Sequence, residues 1–331
     1  MRITRFLKEQ HLLLFLKMIP DMLWEYWIFT RETVRCGLSS SKSKQQTELQ
    51  MLAHAIEKGF SLKNVRKDFG VAKIKQIVAL LNSYVIRFGY DENLNIPVSL
   101  VYAYREFRRS NGNVTDELKD VFARFDTIVQ KTGKQPEEFS QAGTITIERE
   151  KMLALEHADF QTLALSRHAI RNFGSELGGA IYEKVREAIE IAKHSPSACN
   201  RQAYRVHIYK GEQKTNILKA QGSAAPFSED AEIAIVVTGD MNRYYSFEQH
   251  LMYVDASLFA MSLMYALTAK GLANIPLTQC IKRKALKRIR TEFKIPQNEI
   301  PVIMLAIGEY PEEMKVARSE RMSYNDFTIL H

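Results

Sequence analysis

Hydrophobic and polar positions divide the chain into two textures. Up to about residue 140 the apolar residues recur at helical spacing. In "DELKDVFARFDTIVQKTG", Leu118, Val121, Phe122, Phe125, Ile128 and Val129 fall on one helical face, and the pattern stops at Gly133. "QQTELQMLAHAIEKG" is a second helix, ending at Gly59. Residues 3 to 35 are rich in Leu, Phe, Trp and Met with interspersed Lys and Arg, and are interrupted at Pro20. They read as a buried helical pair, the alternative being a helix lying on a membrane surface. "KTGKQPEEFSQAG" is polar with Pro and Gly and reads as a linker, with a helix expected near Ile147 to His157.

From about residue 160 the pattern changes. Ile181, Val185, Ala188, Ile189 and Ala192 share one helical face. "YRVHIYKG", "AEIAIVVTGD" and "PVIMLAIGEYP" read as strands, the second apolar enough to be buried on both faces. "EQHLMYVDASLFAMSLMYALTAKG" is apolar on nearly every side. Asp255, Lys270 and the polar flanks argue for a central core helix rather than a membrane span. Helices mixed with few strands, without βαβ repetition, give an α+β class.

Composition narrows the chemistry. Three cysteines, Cys36, Cys199 and Cys280, lie far apart without metal-ligand spacing, and the eight histidines form no His-x-x-x-His pair. This argues against a disulfide framework or a zinc site, gives no metal site and favours a reducing compartment. The net charge of +8 suits an anionic partner such as a phosphate-bearing cofactor, nucleic acid or acidic lipid. Seven cations stand in "IKRKALKRIRTEFKIP", six of them from Lys282 to Arg290, read as a solvated helix face, the alternative being a docking surface for acidic lipid or a pyridine-nucleotide phosphate. No aromatic platform accompanies them, so nucleic acid is not expected.

Four segments carry candidate chemistry. "SRHAIRNF" places Arg167, His168 and Arg171 close together, where guanidinium forks suit phosphate oxygens; the alternative is a solvated basic turn. In "HSPSACNRQAYR", Pro196 stiffens a stretch where Ser195, Ser197, Asn200 and Gln202 offer hydroxyls and amides to a planar ring; the alternative is a plain connector. In "GLANIPLTQC", Gly271 and Pro276 suggest a turn presenting backbone amides. In "GEYPEEMKVARSERMSYNDF", Arg318 and Arg321 are a second pair of phosphate-directed donors, or a surface charge cluster.

Taken in order, these segments resemble the nitroreductase family of FMN-dependent oxidoreductases, over about residues 160 to 325. The resemblance implies a nitroreductase-like mixed sheet flanked by helices. It implies that Arg167, His168, Arg171, Arg318 and Arg321 hold the FMN phosphate and ribityl chain. Pro196, Ser197, Ala198, Asn200 and Gln202 would line the flavin, and Pro276, Leu277 and Thr278 would bring backbone amides to the ring. Arg171 is the catalytic candidate, a cation favouring the reduced flavin. NADH or NADPH would be the electron donor, a small organic molecule the acceptor, and the assembly a homodimer. Departures are Ala169 where serine is common, Tyr204 where tryptophan is usual, and only Met241 to Phe247 where many relatives carry a covering insertion.

The segment "AHAIEKGFSLKNVRKDFG" is similar to one in nitroreductase-like proteins associated with bacterial surface-polysaccharide genes. Its His54, Glu57, Lys58 and Arg66 are candidates to face an acceptor and cover the flavin. The expected organisation is an all-α domain over 1–140, a linker and connecting helix over 141–159, and the FMN-binding domain over 160–331. The expected location is cytoplasmic, with peripheral membrane contact through the N-terminal segment. The competing class is a flavin-binding or degenerate interaction module at the membrane surface, without turnover.

Overall fold

The computed structural model describes residues 2–33, 41–66, 69–111, 114–135, 139, 142–174, 181–280 and 282–331, without the side chains of 2–11, 14 and 32. The chain divides into two compact units. One comprises Met1–Glu57, Arg66–Gly143 and Ser319–His331, the other Lys58–Val65 and Thr144–Arg318.

Helices α1 (Arg2–Glu32), α2 (Lys42–Phe60), α3 (Val71–Phe88), α4 (Asn95–Ser110) and α5 (Asp116–Gln130) supply most of the first unit. Its apolar interior draws Ile56 from α2, Ile74, Ile77 and Leu81 from α3, Val101 and Tyr104 from α4, and Leu118 and Phe125 from α5. The start of α5 is fixed by Thr115, whose side chain accepts the Leu118 N–H, with Asp116 and Glu117 in the first turn against the helix dipole. At the start of α3, Gly70 has φ 78°, and an added Cβ would lie 2.8 Å from both Ile56 and Tyr104. Only glycine meets both demands. Asp91 joins Tyr84, Lys42 and the Asn93 N–H. Burial pushes its carboxyl up, but the bonds from Lys42, Tyr84 and Asn93 outweigh this and hold it below the ordinary value.

The expected pair of buried helices over residues 3 to 35 is corrected. One helix runs through Pro20. Leu12, Leu13, Phe15, Leu16, Met22, Leu23, Trp24, Tyr26, Trp27 and Phe29 all stand exposed on it.

The second unit begins with β1 (Thr144–Glu148), α6 (Arg149–Leu153) and α7 (Phe160–Ser166), followed by α8 (Ile181–Ala192) and β2 (Tyr204–Lys210). Then come α9 (Gly211–Gln221), β3 (Ile233–Asp240), α10 (Leu251–Ala269), β4 (Ala273–Thr278), α11 (Arg283–Glu292), β5 (Glu299–Gly308) and β6 (Glu313–Ala317). A short α12 (Tyr324–Phe327) lies in the tail grouped with the first unit. Four strands form one sheet in the order β2-β3-β5-β4, and β1 pairs with β6 separately.

The sheet is covered on both faces. Ile233, Ile235 and Val237 of β3 pack with α8 and α10, whereas Ala234 and Val236 pack with residues of α9 and α11. Side chains alternate across a strand, so a strand between two helical layers is apolar at every position. Helix α10 is, among the described residues, the one helix long and apolar enough to cross a membrane by length and composition. Phe259, Ala260, Leu263 and Leu267 bury it against the sheet and α8 instead.

Two further expectations are corrected. The sheet expected to be mixed is antiparallel at every described pairing. β3 and β4 do run parallel, but β5 lies between them. Residues 144–148, read as linker and helix, form β1, whose partner β6 lies at the far end of the unit.

Candidate functional site

Residues 167–174 leave α7 as an extended segment beside the outer edge of β4. The Ile170 N–H donates to the Asn274 carbonyl at 3.1 Å, and the Gly174 N–H to the Glu309 carbonyl at 3.0 Å. Phe173 fills the space above Gly308, where an added Cβ would meet its ring at 2.7 Å. Arg167 caps the end of α7, half-buried. Burial pushes the Tyr310 phenol above its ordinary value, against the smaller downward effects of a hydrogen bond with Thr268 and of the Arg167 charge. His168 is half-buried. Arg171 is 8% exposed, and its guanidinium donates to the Ala169 carbonyl at 3.3 Å.

Pro276 does not shape a turn, as the sequence suggested. It lies within β4, an edge strand. The carbonyls of Asn274 and Thr278 bond outward, to Ile170 and to the Gln221 and Gln279 side chains. Strand alternation then aims Pro276 outward as well, where its missing N–H costs no ladder bond. The Leu277 side chain is buried in the core between the sheet and α9, so only its backbone is available to a ligand. Thr278 is exposed and its hydroxyl accepts the Cys280 N–H at 3.0 Å.

The stretch 196–202 folds into a compact turn before β2. Cys199, Asn200 and Gln202 have φ of 51°, 53° and 48°, in the left-handed region that non-glycine residues seldom enter. The Ser197 hydroxyl accepts the Gln202 N–H at 3.0 Å, and the Gln202 amide donates to Asn200 Oδ1 at 3.2 Å. Pro196, Asn200 and Gln202 are exposed, while Ser197 and Ala198 are half-buried.

Four residues on which the sequence reading placed no role support this turn. Arg201 makes a two-pronged ion pair with Glu248, at 2.7 and 2.9 Å, and stacks 5.0 Å above the Tyr244 ring. Asp255 accepts the Ala198 N–H at 3.0 Å and the Tyr244 hydroxyl at 2.9 Å. Burial and then Asp255 push the Tyr244 phenol above its ordinary value. The signal in the sequence was Asp255 itself, a carboxylate near the start of an otherwise apolar helix.

The structure brings the first and third sequence segments together, since residue 170 pairs with residue 274. It separates both from the second. The turn 196–202 leads into β2 and residues 276–278 belong to β4, and these are the two opposite edges of the sheet. Three strand spacings, roughly 14 Å, lie between them. Arg318 is exposed just beyond β6, and Arg321 belongs to the tail grouped with the first unit, donating to the Ser319 carbonyl. Of the residues proposed to face an acceptor, Glu57 is turned inward. It is 3% exposed, accepts the Gly143 N–H at 3.2 Å and lies 3.4 Å from His54 Nδ1.

No family model matches the chain, and no curated protein matches it. Among solved structures, the chain is similar to a nitroreductase family protein from Clostridium difficile 630. Identity is 24% and the TM-score 0.44, over 52% of this chain and 98% of that one. It is similar to a nitroreductase family protein from Streptococcus pneumoniae TIGR4 at 22% identity and TM-score 0.45, over 52% of this chain and all of that one. A nitroreductase-like protein from Streptococcus mutans gives 21% and 0.45, over 52% and 98%.

Proposed function

We propose that the second unit binds FMN and passes electrons from NADH or NADPH to a small organic acceptor. The observation that carries this reading is the cationic segment 167–171 lying along the outward edge of β4. Such a place offers guanidinium donors for a phosphate dianion and backbone groups for the edge of a planar ring. Arg167, His168 and Arg318 are assigned to the phosphate. Arg171 is assigned to the ring, together with the backbone of Pro276, Leu277 and Thr278. The donor set fits an anionic, ring-bearing cofactor, although Ala169 brings no hydroxyl to it. FMN, when bound, supplies hydride acceptance and onward electron transfer. The protein supplies position and a buried positive charge.

The turn 196–202 enters this site from a second copy of the chain. Support comes from its place on the opposite edge of the sheet. Further support is the apolar surface left open on α8 and α10, where Ile191, Tyr253, Val254 and Leu258 are each 43% exposed or more. The protein is thus read as a cytoplasmic homodimer. The resemblance of residues 54–70 suggests an acceptor in surface-polysaccharide biosynthesis. The test is the visible spectrum of the purified protein. A flavin spectrum that NADH or NADPH bleaches without oxygen is expected. A colourless protein that takes up no added FMN would overturn the reading.

A second activity of the same chain, contact with a membrane surface, is favoured by α1. Lys17, Asp21 and Glu25 fall four residues apart and form one polar stripe, with Arg31 beside it, while exposed apolar side chains such as Phe15, Leu16, Leu23, Trp27 and Phe29 occupy most of the remaining described circumference. A seam for one partner helix is narrower than this, whereas a helix lying in a lipid interface keeps one charged stripe toward water. Trp24, Tyr26 and Trp27 suit that interface. Co-sedimentation with phosphatidylserine vesicles is expected for the full chain and lost without residues 2–32. Equal sedimentation of both removes this role.

A further inference from the structure

The turn from Ser197 to Gln202 holds three non-glycine residues at positive φ. Left-handed backbone is costly for each of them, least for asparagine, so a turn of this kind persists only where its surroundings hold it. Its internal bonds are short-range: Gln202 N–H to the Ser197 hydroxyl, Asn200 N–H to the Ser197 carbonyl and Arg201 N–H to the Ala198 carbonyl. Two anchors reach it from elsewhere in the unit. Arg201 is tied to Glu248 and donates to the Arg243 carbonyl at 3.1 Å, while Arg243 returns a bond to the Arg201 carbonyl at 3.2 Å. These hold the outer end of the turn. The inner end is held by Asp255.

Asp255 is 2% exposed on a helix that is otherwise almost wholly apolar. A buried carboxylate is costly unless its oxygens are occupied. Here one oxygen takes the Ala198 N–H at 3.0 Å and the other the Tyr244 hydroxyl at 2.9 Å. The second bond fixes the rotation of the carboxylate, and the first passes that orientation to the backbone at the point where the left-handed run begins. Both of these bonds stay within the protein, so Asp255 acts through the turn.

We propose that Asp255, oriented by Tyr244, is the positioning residue that holds the ring-facing turn in its strained, ligand-ready form before any ligand arrives. A turn already in its bound shape does not spend binding energy on being ordered. The part of this inference that concerns FMN rests on the proposed flavin site; the part that concerns the turn does not.

The experiment therefore has two arms. Hydrogen exchange of the full-length protein without added flavin reads the amides of residues 197–202. Asp255→Ala and Tyr244→Phe are expected to speed their exchange, while Asp255→Asn, which keeps an oxygen for the Ala198 N–H, stays nearer the original rate. FMN titration is the second arm. Asp255→Ala is expected to weaken binding about ten- to a hundredfold, and Tyr244→Phe about three- to tenfold. Asp255→Asn is expected to retain more affinity than Asp255→Ala. Should Asp255→Ala fail to fold, Tyr244→Phe and Asp255→Asn carry both arms. Unchanged exchange in Asp255→Ala overturns the positioning role and, where that variant does not fold, unchanged exchange in Tyr244→Phe overturns it. Faster exchange with unchanged FMN affinity overturns the link to the ligand. An original protein that binds no FMN sinks the flavin reading, and the exchange arm still decides the role of Asp255.

Discussion

Replacing Phe259 by alanine is expected to destabilise the second unit by about 3–5 kcal/mol. Phe259 is 1% exposed on α10 and belongs to the core beneath β3 and α8. Its ring stacks on Tyr204, the first residue of β2, with centroids 4.2 Å apart and planes 23° from parallel. Truncation removes that stacking and leaves a cavity between a helix and a strand that are both held by other contacts, so collapse is incomplete. The loss also falls one helical turn from Asp255 and just after Gln202, so hydrogen exchange in β2 and α10 is expected to rise with it. The measurement is urea unfolding, with exchange assigning the transition to this unit. A change below about 1 kcal/mol would mean the ring is not packed in this way.

Arg171→Gln is expected to lower the midpoint potential of bound FMN by about 30 to 60 mV. This corresponds to losing one charge-assisted interaction of about 1.5–3 kcal/mol in the two-electron reduced form. The reasoning starts from burial. Arg171 is 8% exposed, so its field is poorly screened by water, and a cation there favours whichever redox form carries more negative charge. Glutamine keeps an amide donor at this position and removes the charge. Arg171→Lys, which keeps the charge, is expected to hold the potential closer to its original value. A redox titration of all three proteins decides. An unchanged or raised potential in Arg171→Gln removes Arg171 from the ring.

Much of the fold was readable because local pattern and tertiary environment agree. The face of Ile181, Val185, Ala188 and Ala192 is the buried face of α8. The unbroken apolar run of β3 reflects its place between two helical layers. Where the two levels part, the reading failed. "NIPLT" reads as a turn because proline ends most strands, yet β4 is an edge strand and aims Pro276 away from the ladder. β1 carries too little apolar alternation to announce itself, and becomes a strand only when β6 arrives from the end of the unit. A proline inside a helical pattern removes a backbone bond and predicts a break, yet α1 continues through Pro20.

The candidate site divides along the same line. Residue type is local, so the sequence alone determined which chemistry is present: guanidiniums and an imidazole at 167–171, hydroxyls and amides at 195–202, and an apolar helix between β3 and β4. Position is not local. Strand order decided that the cationic segment lies beside β4 and the polar turn beside β2, on opposite edges of one sheet. Packing decided that Asp255, a lone acid in an apolar helix, takes up the Ala198 N–H and the Tyr244 hydroxyl. A carboxylate removed from water must find such partners, but only the folded chain determines which ones come within reach.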